Sequence, residues 1–180
     1  MRTFFAFPIP KDIQNDLYNQ TSKLREDSTG VKWVAPENFH ITLRFIGDIE
    51  DDILARLEKM VEDVPMHKGI FTVKYKGLGA FPPKGKPKVI YAPIETGKKE
   101  CSEVYSFLDN LLSAFIPKEK RPYTPHITLG RVKGHAQVPD LRNYSDDVSG
   151  AFTVDECVLY ESRLGPSGAS YYVRKRGGFS

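Results

Sequence analysis

Two histidines in this chain open the same tetrapeptide, His-Ile-Thr-Leu, at His40 to Leu43 and again at His126 to Leu129. Side chains along a strand alternate between its faces, so His40 and Thr42 project together while Ile41 and Leu43 enter the core behind them. The same parity pairs His126 with Thr128. Each segment therefore holds an imidazole and a hydroxyl on a rigid support, the condition for catalytic geometry. An imidazole titrates near roughly pH 6.5, so at neutral pH one ring can accept a proton while a protonated partner donates one. Opening a phosphodiester with water needs both transfers at once, each typically worth about 10²- to 10⁴-fold in rate. The threonine hydroxyls suit the non-bridging oxygens, where negative charge builds up. This chemistry requires no metal or other cofactor. A zinc site is the competing arrangement and ranks lower, because no cysteine or carboxylate stands at a ligand-like spacing from either histidine. A single histidine at a strand start is ordinarily structural. Here two of only four histidines begin the same tetrapeptide.

The elements that must position these residues follow from periodicity. Thr3 to Phe7 reads as a buried strand ended by prolines, and Lys11 to Glu26 as a helix with Ile13, Leu17 and Leu24 on one face. Lys32 to Val34 and Phe39 to Ile46 read as strands around the turn at Ala35 to Asn38. Ile53, Leu54, Leu57, Met60, Val61 and Val64 form the stripe of an amphipathic helix opened by acidic residues. The second half repeats this vocabulary. Strands are expected at Phe71 to Tyr75 and Val89 to Ala92, joined through the Gly/Pro/Lys loop holding Lys84, Lys86 and Lys88. A helix follows over Cys101 to Phe115, then strands at His126 to Val132, Ala151 to Tyr160 and Tyr171 to Arg176. The pattern predicts an α+β fold with mainly antiparallel sheet. Tetrapeptides 86 residues apart in a chain of 180 suggest two lobes related by an approximate twofold axis, a duplication within one domain spanning residues 1–180.

Composition sets further bounds. No apolar run approaches the roughly 20 residues of a membrane-spanning helix, so the chain is expected to work without a membrane, as a monomer. Cys101 and Cys157 read as reduced, buried residues, which points to the cytoplasm. The net charge of +3 hides an asymmetry: residues 1–65 carry 8 Lys+Arg against 12 Asp+Glu, and residues 66–180 carry 18 against 11. A basic half favours phosphate-bearing partners.

Three stretches carry a resemblance to a family: Trp33-Val-Ala-Pro-Glu-Asn-Phe-His-Ile-Thr-Leu-Arg-Phe-Ile-Gly47, Arg121-Pro-Tyr-Thr-Pro-His-Ile-Thr-Leu-Gly-Arg131, and Ser162-Arg-Leu-Gly-Pro-Ser-Gly168 with Tyr171 or Tyr172. In these the chain resembles the 2H phosphoesterases, and among them the RNA 2′,3′-cyclic phosphodiesterases, also known as 2′-5′ RNA ligases. The resemblance implies a bilobal fold of two mainly antiparallel sheets with flanking helices and a site in the cleft between lobes. It implies hydrolysis of 2′,3′-cyclic phosphate at RNA ends, tRNA fragments among them, with His40 as proton donor and His126 as acceptor. The residues alone support the pair without ordering it. Reverse 2′-5′ ligation is the expected secondary activity. The alternatives are a 2H enzyme for ADP-ribose 1″,2″-cyclic phosphate or a small cyclic nucleotide, and a non-catalytic RNA-end-binding module.

Around this pair, Arg131 is expected to hold phosphate through its fork of donors, although strict alternation turns it away from His126 and only a bulge at Gly130 re-aims it. Parity puts Arg44 on the histidine face. Phe39, Trp33 and Tyr171 are candidates for a base pocket, Arg121 and Tyr123 for guiding RNA phosphates or stacking a base, and the lysine loop for further phosphate contacts. His67 and His135 carry no motif and are assigned no function.

Overall fold

The computed structural model describes residues 1–67 and 69–179, with side chains for all of these except 65–67. In chain order the elements are β1 (Arg2–Pro8), α1 (Lys11–Gln20), α2 (Ser22–Glu26), β2 (Thr29–Trp33), β3 (His40–Asp48), α3 (Asp51–His67), β4 (Phe71–Lys76), β5 (Gly79–Phe81), β6 (Val89–Thr96), α4 (Lys98–Leu112), β7 (His126–Gln137), β8 (Ser149–Val154), β9 (Glu156–Gly165) and β10 (Gly168–Gly178). The expected helix over Lys11 to Glu26 is interrupted at Thr21. Its hydroxyl donates back to the Leu17 and Tyr18 carbonyls at 3.0 and 3.1 Å, a local bond that competes with the helical ladder. Leu17 and Leu24 still enter the core from either side of the break. The single strand expected over Ala151 to Tyr160 is two strands, parted at Asp155, whose carbonyl accepts from the Phe179 amide at 2.6 Å. The helix expected to run to Phe115 ends at Leu112.

The strands join in the order β10-β9-β1-β3-β7-β6-β4-β8, with β2 alongside β7 and β5 alongside β6, and every pairing is antiparallel. Among the described residues the architecture is α+β, a curled, mainly antiparallel sheet flanked by four α-helices. The two sheets anticipated from the sequence meet edge to edge at β3 and β7, where a single residue pair, Ile41 and Ile127, is in register. On either side of that seam the registers echo each other. Pro8, Phe7 and Ala6 lie opposite His40, Ile41 and Thr42, and after a shift that passes over Leu43, Phe5 and Phe4 lie opposite Arg44 and Phe45. In the other half Pro93, Ala92 and Tyr91 lie opposite His126, Ile127 and Thr128, and after passing over Leu129, Ile90 and Val89 lie opposite Gly130 and Arg131.

Behind the sheet, Ile41, Ile127, Leu43 and Leu129 pack into one core with Leu57, Val61 and Val64 of α3 and Val104, Leu108 and Leu112 of α4. Fixing both tetrapeptides into this core is what holds their histidines on the opposite face. Among the described residues no helix is long and apolar enough to cross a membrane.

Candidate active site

The Ile41 and Ile127 pairing sets His40 across from Thr128 and Thr42 across from His126, four polar side chains on one face of the seam. Both imidazoles are held in the same way. Nδ1 of His40 lies 2.7 Å from the Asn38 carbonyl, and Nδ1 of His126 lies 2.7 Å from the Thr124 carbonyl. A carbonyl only accepts, so each Nδ1 carries the proton and each neutral ring presents an unprotonated Nε2. Nε2 of His40 is 2.9 Å from the Thr42 hydroxyl, which then donates to it. Aromatic rings wall both histidines. Phe4 and Tyr171 stand 5.0 and 5.3 Å from the His40 ring, and Phe81 and Tyr91 stand 5.1 and 5.3 Å from the His126 ring.

Burial dominates the titration of both rings. Loss of solvent around His40 lowers its pKa to about 4, with His126 and Arg131 adding repulsion, while the Asn38 carbonyl opposes the change. His126 is lowered too, first by burial and then by Arg131, against the Thr124 carbonyl. Both shifts favour the neutral rings at neutral pH.

Arg131 reaches this cleft because alternation fails where the register shifts. Leu129 and Gly130 are buried in succession, and Arg131 emerges on the histidine face, exposed, lining a cavity of about 330 Å³ with His40, Thr42 and Thr128. Strict parity is overturned there by the bulge that Gly130 was expected to permit. The first half bulges at the same place. Leu43 and Arg44 are buried in succession, and Phe45 emerges into the cleft at the position equivalent to Arg131. The parity expectation for Arg44 is therefore corrected. Its guanidinium is buried and donates to Asp109 Oδ1 at 3.0 Å, the Phe45 carbonyl at 2.7 Å and the Pro117 carbonyl at 2.6 Å.

Of the remaining candidates, Phe39 belongs to the core at 3% exposure and does not face the cleft, because the short turn at Pro36–Asn38 delivers it inward just before β3. Tyr123 lines a second pocket of about 470 Å³ beside His126, but its hydroxyl donates to the Thr42 carbonyl at 2.9 Å and its ring stacks on Tyr105, so it also ties the approach to β7 against β3. Arg121 is exposed at the rim of that pocket, paired with Glu119 at 3.5 Å. Trp33 and Tyr171 line a groove of about 700 Å³ that continues the central cavity on the other side. Lys84, Lys86 and Lys88 stay exposed, Lys86 donating to the Gly134 carbonyl. His135 is exposed on β7, and the side chain of His67 lies outside the described residues. The sequence reading missed Phe4, Phe81 and Tyr91 as walls of the histidines. Phe4 and Tyr91 sit in apolar strands, where an aromatic reads as core. Among the described residues no group of three or more His, Cys, Asp or Glu side chains is placed to hold a metal ion.

A family model described as LigT-like phosphoesterase matches this chain over residues 7–91 and again over 93–171, one tetrapeptide in each stretch. The chain belongs to the LigT-like phosphoesterase family. Relatives of this LigT-like phosphoesterase include two proteins named RNA 2′,3′-cyclic phosphodiesterase. The one from Methanocaldococcus jannaschii is 31% identical over 97% of this chain and 99% of its own length, and the one from Archaeoglobus fulgidus is 32% identical over 95% and 96%. Among solved structures, a protein of Thermus thermophilus superposes with a TM-score of 0.81 at 26% identity over 99% of this chain and 98% of that one. Escherichia coli LigT complexed with 3′-AMP gives 0.82 at 21% identity over the same shares, which supports the fold of the phosphoesterase. The LigT-like phosphoesterase is thus an enzyme of the hydrolase class, on a scaffold shared across bacteria and archaea.

Proposed function

We propose that this enzyme hydrolyses 2′,3′-cyclic phosphates at RNA ends to 2′-phosphomonoesters, with His40 and His126 as an acid-base pair working from two halves of a single domain. The observation that carries the reading is the matched hold on the two imidazoles, each with Nδ1 committed to a carbonyl, which turns Nε2 toward the cleft, that of His40 beside the Thr42 hydroxyl. In the order that the resemblance implies, His126 Nε2 takes a proton from water as the water oxygen bonds to phosphorus. The bond from phosphorus to O3′ breaks, and O3′ receives the proton of His40 Nε2. Thr42 and Thr128 steady the ring and the non-bridging oxygens, and Arg131 balances their charge. Burial and Arg131 disfavour the charged form of both rings, so His40 takes up its proton from solvent as the phosphate binds, the anion's negative charge offsetting that of Arg131. The names of the relatives support RNA as the substrate, and the two free, buried cysteines suit a reducing compartment such as the cytoplasm.

With a 5′-hydroxyl in place of water the same groups form a 2′-5′ linkage: His126 takes the hydroxyl proton as O5′ bonds to phosphorus, and the P–O3′ bond breaks with O3′ protonated by His40. The pocket walled by Phe45, Phe81, Tyr105 and Tyr123 beside His126 has room for that second nucleoside in place of water. The test is incubation of the enzyme with an oligoribonucleotide ending in a 2′,3′-cyclic phosphate, in excess chelator, with identification of the product. A 2′-phosphate end is expected, and its yield should collapse in His40→Ala and in His126→Ala. Full activity in both variants refutes the acid-base pair.

A further inference from the structure

Lys32 and Arg131 lie directly opposite each other in the pairing of β2 with β7, both exposed and both lining the groove beside the histidines. Like charges placed across a strand pair repel at Cβ separations of roughly 4.5–5.5 Å. Surface cations are commonly quieted by a carboxylate, yet among the described residues neither forms an ion pair, although Glu37 stands on the same groove. The opposite pocket differs in this respect, because its two arginines are already engaged, Arg44 with Asp109 and Arg121 with Glu119. Two cations in register, neither in an ion pair among the described residues, are a place for two negative charges, and the groove adjoins the cavity of His40, sharing Val34, Arg131, Leu164, Ala169 and Tyr171 with it.

We propose that this groove, between β2 and the β9–β10 hairpin, holds the nucleotide upstream of the cyclic end, with Lys32 on the first internal phosphate while Arg131 serves the cyclic one. The proposal rests on the reaction assigned above. If His40 protonates the departing O3′, the sugar carrying that oxygen lies on the His40 side of phosphorus, and the RNA then leaves through this groove rather than past His126. The groove is shaped for such an occupant. At about 700 Å³ it has the volume of a small-ligand pocket. Asn38 Nδ2 donates to the Ala169 carbonyl at 3.0 Å, fastening the hairpin over the floor, and Lys32 reaches across to the hairpin tip, its ammonium about a van der Waals contact from where a Cβ on Gly168 would sit, at 3.4 Å. At the rim Leu164 is 74% and Tyr172 45% exposed, Tyr172 with the Arg163 guanidinium 4.1 Å from its ring centre. An exposed ring at the mouth of a cationic groove is a stacking platform for a base of any sequence. The specificity that follows is for length rather than sequence.

The test compares a mononucleotide and a dinucleotide, each ending in a 2′,3′-cyclic phosphate, in the wild type, Lys32→Ala, Lys32→Glu, Lys32→Arg and Tyr172→Ala. The wild type should prefer the dinucleotide. The ratio of the two kcat/KM values should fall roughly 5- to 10-fold in Lys32→Ala, and further in Lys32→Glu, through KM, and recover in Lys32→Arg. The slope of log KM against log salt for the dinucleotide should drop by about 0.7 on losing one phosphate contact to a single strand. Tyr172→Ala should reduce the preference without changing that slope. A preference and a salt slope that are the same in Lys32→Ala and Lys32→Glu as in the wild type overturn the groove assignment. Failure of the wild type to open either nucleotide overturns the underlying reaction instead, and the two failures are told apart by the wild-type rates alone.

Discussion

Replacing Arg44 by methionine keeps a long apolar stem in place and removes a guanidinium that three acceptors share. Asp109 Oδ1 at 3.0 Å, the Phe45 carbonyl at 2.7 Å and the Pro117 carbonyl at 2.6 Å all lose their donor. Among the described residues Asp109 keeps the Glu119 amide at 3.4 Å, and its side chain is 12% exposed against 7% for Arg44. Breaking a buried pair from one side leaves an uncompensated charge and costs about 3–5 kcal/mol. For a chain of this size each kcal/mol moves Tm by about 2–4 °C, so a fall of roughly 6–20 °C is expected. Arg44→Lys should recover only part of it, since one ammonium cannot reach acceptors in three directions. Arg44→Met with Asp109→Leu should recover most, because the orphaned carboxylate is then gone. Urea and thermal unfolding of the four proteins measure this directly. A loss below about 1 kcal/mol for Arg44→Met would place the pair with ordinary surface ion pairs and refute its role as a strut between β3 and the segment leading to β7.

Two further expectations concern the site. The pH profile of kcat/KM reports the free enzyme, in which His40 titrates near 4 and His126 below its ordinary value. The form with one ring protonated and the other neutral therefore peaks below roughly pH 6.5 and declines as pH rises, while the kcat profile lies at higher pH because bound anion favours the charged rings. An optimum of kcat/KM above pH 7 contradicts the desolvation argument. Arg131→Phe, which copies the residue at the equivalent point of the first half, should lower kcat/KM by about 10- to 100-fold through loss of a charge-assisted phosphate contact. It should also move the kcat/KM optimum upward, since Arg131 depresses both histidines. A rate loss with no displacement of the profile would mean that Arg131 acts at a distance from the rings.

The repeated tetrapeptide makes the site legible in the chain itself, because strand parity needs only neighbouring residues, and four side chains follow from it. Helical stripes and apolar runs likewise locate most elements. Errors come where a side-chain bond or a packing demand overrides the periodic pattern. Thr21 interrupts a helix whose stripe reads straight through it, and Phe39 turns into the core beside a histidine that does not. The aromatic walls are illegible for another reason. Phe4, Phe81 and Tyr91 come from strands distant in sequence, and only the pairing of β1, β5 and β6 with their neighbours brings them to an imidazole.

The two arginines after the tetrapeptides draw the line between what each level determines. Sequence by itself fixes the face of His40, Thr42, His126 and Thr128, since alternation is a property of the extended chain. It assigns Arg44 to that face and leaves Arg131 dependent on a bulge. Tertiary structure decides both, because a bulge is a relation between two strands and exists only once they pair. At Gly130 the reason is steric, for a Cβ there would meet Val31 Cγ1 at 2.8 Å and Trp33 Cε3 at 2.9 Å, so the missing side chain lets β2 close against β7. At the equivalent point of the first half no such strand approaches among the described residues, and the space goes to Arg44 and its buried partner Asp109.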